Sequence, residues 1–310
     1  MPHFLDRFGD YLLAKAMESE QKRASLHTRN LDLPMGRMAF YTNRPDVSTY
    51  PEAVILLHGA GADKTTWLRF ARDLRCQAPL IIPDLPGHGQ STDSVDLDYS
   101  IAAQVTYLAE FMRALSISRA HIIGNSMGGA VALGLAAAVP QQLASLILIS
   151  AGGTGMYDAK LTEHVARMGR NPLVTIESET DFKNMLRFGM VKPPYLPGIL
   201  LSALTRARMA KNRINEKVAA DIGRDMDQTA KLAQITVPSL IIWGDQDQIL
   251  PLQNATLLAQ GLVNSKKVVL KDIGHVPMVE AAKQVAALCS DFLSFPAPAL
   301  VSGVHAVRLP

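Results

Sequence analysis

"HIIGNSMGGA", residues 121–130, sets three glycines and a serine behind a short apolar run. A hydroxyl between glycines serves as a nucleophile, a phosphate ligand or turn chemistry, and the flanking sequence separates these roles. Upstream, "AHII" (120–123) reads as a buried strand, and downstream "MGGAVALGLAAAV" (127–139) has helical character. "GNSMG" therefore occupies a strand-to-helix turn and fits the G-x-S-x-G pattern of a nucleophile elbow. Gly124 and Gly128 leave room for a tight turn that lifts the Ser126 hydroxyl clear of the backbone. The helix that follows adds a backbone N–H and the positive end of its dipole where an oxyanion would form.

The same alternation extends in both directions. "AVILLHG" (53–59), "PLIIPDLPG" (79–87), "LASLILIS" (143–150), "PSLIIWGD" (238–245) and "KKVVLKDIGH" (266–275) read as buried strands, with "GRMAFYTN" (36–43) as an earlier strand of the same sheet. Helical stretches such as "IAAQVTYLAEFMRAL" (101–115) and "ATLLAQGL" (255–262) lie between them. This is the β-α-β rhythm of a mostly parallel sheet covered by helices on both faces. Residues 151–235 break it, with no strand-like run and several helical ones, among them "SETDFKNMLRFGM" and "GILLSALTRARMAKNRI". An interval of that length reads as a helical insertion over the edge where strands end, which is where open α/β sheets place ligands. The expected organisation is an N-terminal amphipathic helical segment (1–30), a core (31–150 and 236–295), the helical insertion (151–235) and a C-terminal tail (296–310).

Composition narrows the partners. The 310-residue chain is 48% hydrophobic with a net charge of +3, enough apolar content for one large domain and no global basic field for nucleic acid. Cys76 and Cys289 form neither a disulfide framework nor a metal-ligand cluster, and no metal or organic cofactor is expected. The N-terminus interleaves Asp6, Arg7 and Asp10 with its apolar residues, so it resembles neither a signal peptide nor a membrane span, and a cytoplasmic location is the default. Its stripe of Phe4, Leu5, Phe8, Leu12 and Ala16 at helical spacing is expected to dock on the chain's own domain, with peripheral membrane contact left open. The same opening exists at the insertion, where eight basic residues from Lys183 to Lys217 face only Glu216, a local charge of +7.

A serine hydroxyl attacks at neutral pH only if a positioned base takes its proton, so the elbow calls for a histidine and an acid downstream. "WGDQDQILP" follows a strand and offers Asp245 and Asp247, and "IGHVPMVE" follows the last strand with His275. His121 reads as a strand residue, His88 as turn chemistry, and His164 and His305 lie in segments without a partner motif.

Five motifs in order, "HGAGADKTTW", "PDLPGHGQS", "GNSMGG", "WGDQDQILP" and "GHVPMVE", resemble the α/β-hydrolase superfamily across residues 36–293. The first, third and fifth are similar to bacterial lipases of the lipase 3 type and to monoacylglycerol lipases. The resemblance implies the α/β-hydrolase fold, a cap inserted after the sixth strand, and a Ser126/Asp247/His275 triad cleaving carboxylic esters of small-molecule or lipid substrates. It also implies an oxyanion hole made by the N–H groups of Met127 and Ala60, where many relatives have Phe in place of Ala60. His58 and Gly59 would shape that loop and Asp84 would hold the next. Of the two aspartates, Asp247 stands at the family's G-x-x-D position, and Asp245, directly after the strand, is expected to hold the turn.

Ser126 excludes the dehalogenases and epoxide hydrolases of the superfamily, which use aspartate there. The alternative within it is a carbon–carbon bond hydrolase of ring-cleavage products, although those resemble "GHW" where this chain has "GHVP". A ligand receptor that keeps the triad but turns over slowly is the alternative outside enzymology.

Overall fold

Eight strands form one sheet within residues 4–294, the part of the chain that the computed structural model describes. They are β1 (His27–Leu33), β2 (Gly36–Thr42), β3 (Glu52–Leu57), β4 (Leu80–Pro83), β5 (Arg119–Ser126), β6 (Leu143–Ala151), β7 (Ser239–Gly244) and β8 (Ser265–Leu270). Their order is β1-β2-β4-β3-β5-β6-β7-β8; β2 is antiparallel to both its neighbours and the other pairings are parallel. Parallel strands buried on both faces need apolar side chains at every position, and this is why they stand out in the sequence as continuous runs. All nine residues of β6 are buried. In β3, Val54 and Leu56 pack into one core layer while Ile55 and Leu57 pack into the other. β5 and β7 alternate in the same way, Ile122 against Ile123 and Trp243 against Ile242.

Eleven α-helices accompany the sheet within the described residues: α1 (Phe4–Arg23), α2 (Leu68–Asp73), α3 (Ile101–Ala114), α4 (Met127–Ala138), α5 (Ala159–Met168), α6 (Glu179–Gly189), α7 (Gly198–Met209), α8 (Asn212–Ile222), α9 (Gln253–Gly261), α10 (Pro277–Glu280) and α11 (Ala282–Ser294). The side chains of α3 and α4 supply one core layer, and those of α2 and α11 the other. Helices α5 to α8 all fall between β6 and β7 and carry a small core of their own around Ile176, Phe182 and Leu201.

Three expectations meet a different structure. The sheet has an additional edge strand, β1, which begins within the end of the segment read as helical and runs on into the core; its residues "HTRNLDL" are mostly exposed, so no apolar alternation marks it. The run read as one helix from Gly198 is two, α7 and α8. Asn212 pins their corner by accepting the Ile176 N–H (3.1 Å) and donating to the Ile176 carbonyl (2.7 Å). The N-terminal helix does dock on its own chain, but through a different face. Gly9 lies against Ile199 of α7, Arg206 of α7 pairs with Asp6 and Asp10, and Phe4, Leu5, Phe8 and Tyr11 are left exposed. The tail at 296–310, with His305, lies outside the described residues.

Candidate active site

The parallel strands end on one edge, and the turns that leave them there carry the polar residues. Ser126 closes β5 and opens α4 at φ 52° and ψ −121°, a left-handed conformation that side chains other than glycine seldom adopt. The surroundings enforce it. A Cβ on Gly124 would collide with the Gly128 carbonyl, and one on Gly128 with the Leu57 and His58 carbonyls, so α4 starts in backbone contact with the end of β3. Met127, the first residue of α4, and Ala60 border the same cavity as the serine.

His275 follows β8 in a loop fastened from three sides. Its N–H donates to the Gly189 carbonyl of α6 at 2.8 Å, and its own carbonyl accepts from Asn125 Nδ2 at 3.2 Å. Glu280 Oε1 accepts the Gly274 N–H at 2.8 Å. The imidazole Nδ1 lies 2.8 Å from Asp247 Oδ2, and both side chains are buried. Asp247 Oδ1 accepts the N–H groups of Ile249 and Leu250, each at 2.9 Å, which fixes the carboxylate plane. A carboxylate acceptor at Nδ1 places the proton there and leaves Nε2 as the basic nitrogen. Asp245 turns elsewhere: its Oδ1 accepts the Asp272 N–H at 2.8 Å and ties together the turns after β7 and β8.

The loop after β3 is held by an internal network. His58 Nε2 accepts the Leu85 N–H at 3.0 Å, so the proton is on Nδ1, which donates to the Gly59 carbonyl at 2.8 Å. The Ala62 N–H bonds the same carbonyl at 3.2 Å, closing a turn whose third residue, Gly61, has φ 67°. Because a trans peptide points its C=O and N–H in opposite directions, holding the Gly59 carbonyl fixes the direction of the Ala60 N–H. Burial pushes the His58 imidazole below its ordinary range against the pull of the Asp84 charge, and pushes His88, edge-on to it at 4.9 Å, well below. Asp84 accepts the Lys64 N–H at 2.8 Å, forms a buried ion pair with Lys64 Nζ, and accepts the Gln90 N–H at 2.8 Å.

Ser126, His275, Met127 and Ala60 border a cavity of about 630 Å³, within the range of small-molecule sites. Its remaining wall is mostly apolar and drawn from the insertion, including Leu161, Phe182, Met185, Leu186 and Leu204. Asn125, Arg208 and Glu280 were not legible as site residues, since each acts on backbone groups remote in sequence. His121 is satisfied away from the site by Ser145 Oγ (2.7 Å) and Glu52 (3.0 Å). His88 bonds the Pro86 carbonyl in its own turn (3.1 Å), and His164 lies edge-on to Phe188.

The sequence profile of the alpha/beta hydrolase family matches residues 54–288. Lipase 1 of Psychrobacter immobilis is 34% identical over 88% of this chain and 86% of its own length. A monoacylglycerol lipase of Mus musculus is 31% identical over 78% of this chain and 75% of its own. Among solved structures, a membrane phospholipase A described as a bacterial virulence factor superposes with a TM-score of 0.86 at 32% identity, covering 92% of this chain and 91% of that one.

Proposed function

The chain belongs to the alpha/beta hydrolase family and is an ester hydrolase, and we propose that it cleaves fatty-acyl esters through Ser126, His275 and Asp247. The observation that carries this reading is that His275, paired with Asp247 at 2.8 Å, and a left-handed Ser126 border one cavity walled by apolar side chains. His275 Nε2 takes the Ser126 proton as Oγ attacks the ester carbonyl, and Asp247 stabilises the imidazolium that results. The N–H groups of Met127 and Ala60 receive the oxyanion. Collapse of the tetrahedral species expels the alcohol, protonated by His275, and water then releases the acid from the acyl-enzyme by the reverse sequence.

The insertion α5–α8 acts in this reading as a cap whose apolar residues house the acyl chain. Lipid monoesters of the kind named for the relatives are the substrate class that fits such a wall. No described helix is long and apolar enough to cross a membrane. Peripheral contact is the proposed mode of access, and the exposed face of α1 is the part suited to it. Phe4 is 81% exposed, Leu5 68% and Tyr11 57%, an unusual concentration of bare apolar surface on one helix. The basic stretch of the cap is a weaker candidate: Arg206, Lys211 and Lys217 are ion-paired within the protein and Arg208 is turned inward.

Hydrolysis rates over acyl chains of two to sixteen carbons, on p-nitrophenyl and monoacylglycerol esters, test the substrate assignment. The cavity predicts kcat/KM rising with chain length beyond four carbons. A flat or falling series would contradict an acyl-housing cap.

A further inference from the structure

Arg208, in the last turn of α7, reaches from the insertion to the loop beside Ser126. Its Nη1 donates to the Gly61 carbonyl and its Nη2 to the Leu173 carbonyl, both at 2.6 Å. A Cβ on Gly61 would occupy the space of the guanidinium, so this glycine serves both the positive φ of the turn and the approach of the arginine. Burial lowers the pKa of Arg208 to about 10, with the charge of Asp63 opposing the shift. A half-buried cation that borders the cavity thus has carbonyl oxygens as its ligands, an arrangement with an unfavourable desolvation term unless the charge is used.

The atoms it touches lead to the site in two steps. The Gly61 carbonyl shares a peptide unit with the Ala62 N–H, which donates to the Gly59 carbonyl at 3.2 Å. The Gly59 carbonyl in turn shares a peptide unit with the Ala60 N–H. A positive charge on the Gly61 oxygen draws electron density along the first peptide and makes the Ala62 N–H a stronger donor. That bond polarises the second peptide and does the same to the Ala60 N–H. We infer that Arg208 is a positioning residue of the cap that orients and polarises the Ala60 N–H through two hydrogen-bonded peptide units, coupling the seating of the cap to the strength of the oxyanion hole.

The inference rests on the serine mechanism proposed above, in which Ala60 N–H receives the oxyanion. Arg206, two residues earlier on α7, is bound by Asp6 and Asp10 of α1, so the same helix that presents Arg208 is braced on its other side by the N-terminal helix. The second bond, to Leu173 between α5 and α6, lies within the cap and holds the guanidinium in place there, so displacement of the cap breaks the contact to Gly61.

Arg208→Gln and Arg208→Lys test this, with kcat expressed per active site titrated by a fluorophosphonate. The probes are an alkyl trifluoromethyl ketone and a fatty alcohol of equal chain length. Ser126 Oγ adds to the ketone carbon, its proton passes to His275, and the carbonyl π pair becomes a hemiketal oxyanion; the alcohol fills the cavity without forming one. Loss of a whole oxyanion donor costs about 10²–10³-fold in kcat. Arg208→Gln, acting through such a donor, is expected to lower kcat about 10- to 100-fold with KM within about threefold. Ketone affinity should fall by the same factor while alcohol affinity holds. Arg208→Lys, retaining charge without the two-point fork, should fall between wild type and Gln, and it carries the test alone if Gln does not fold. Wild-type kcat and ketone affinity in the Lys variant, or equal weakening of ketone and alcohol, would overturn the inference. A wild-type protein that binds no ketone would instead contradict the serine mechanism.

Discussion

Asp245 and Asp247 are two residues apart in one loop, yet the structure gives them unrelated partners. Asp247 faces His275 Nδ1, and Asp245 caps the Asp272 N–H. An acid that fixes the histidine tautomer and stabilises its cation is worth about 10⁴-fold in kcat in a serine protease triad. Asp247→Asn should therefore fold normally and lose about that factor. Asp245→Ala should lose about 1 kcal/mol of stability with its hydrogen bond and keep most activity. Thermal melts and steady-state rates on both variants check this, and near-full activity in Asp247→Asn would move the acid elsewhere. At this scale the sequence was legible where a motif names a residue type at a fixed offset, as for Ser126 and His275. Asn125, Glu280 and Arg208 were illegible because their partners are carbonyl or N–H groups up to 150 residues away, and backbone groups leave no mark in a sequence.

Among the elements, legibility followed burial. The strands buried on both faces read as apolar runs, whereas β1, an exposed edge strand of polar residues, carried no such signal. Helix α1 shows the converse: its apolar stripe was legible, but the side that packs is set by Gly9 and by the ion pairs of Asp6 and Asp10, and the aromatics stay outside. That exposed face has a consequence for lipid binding. Burying an aromatic side chain in an apolar phase is worth roughly 1.5–3 kcal/mol. The double variant Phe4→Asp/Phe8→Asp should then weaken sedimentation with phosphatidylcholine vesicles by at least about 10-fold while leaving hydrolysis of a soluble short-chain ester intact. Binding that is unchanged, or that appears only with anionic lipid and low salt, would transfer the contact from α1 to the basic residues of the cap.

The whole molecule stores its site behind buried neutral imidazoles, and this sets its response to acid. His58 and His88 both have pKa values depressed by burial. Below the ordinary histidine value of about 6.5 the unfolded chain takes up protons that the folded chain refuses, so stability is complete above that pH and declines as pH falls below it. Each imidazole removes up to about 1.4 kcal/mol per pH unit until its own folded-state pKa is reached. Melting temperature should drop between pH 7 and pH 5, and His88→Gln should flatten that slope; an identical slope in the variant would contradict the assignment. The fold class and the insertion after β6 were readable from the order of motifs and runs, because topology follows chain order. How the insertion closes over the serine was not, since that depends on contacts such as His275 with Gly189 and Arg208 with Gly61 that join distant segments.

The central claim, that Ser126 and His275 operate as one catalytic unit in ester cleavage, is tested most directly by a double-mutant cycle on kcat for a chromogenic ester. Groups that act only together are lost together. Ser126→Ala and His275→Ala should each abolish nearly all turnover, and the double variant should be little worse than either; losses that multiply, or substantial turnover in Ser126→Ala, would contradict it.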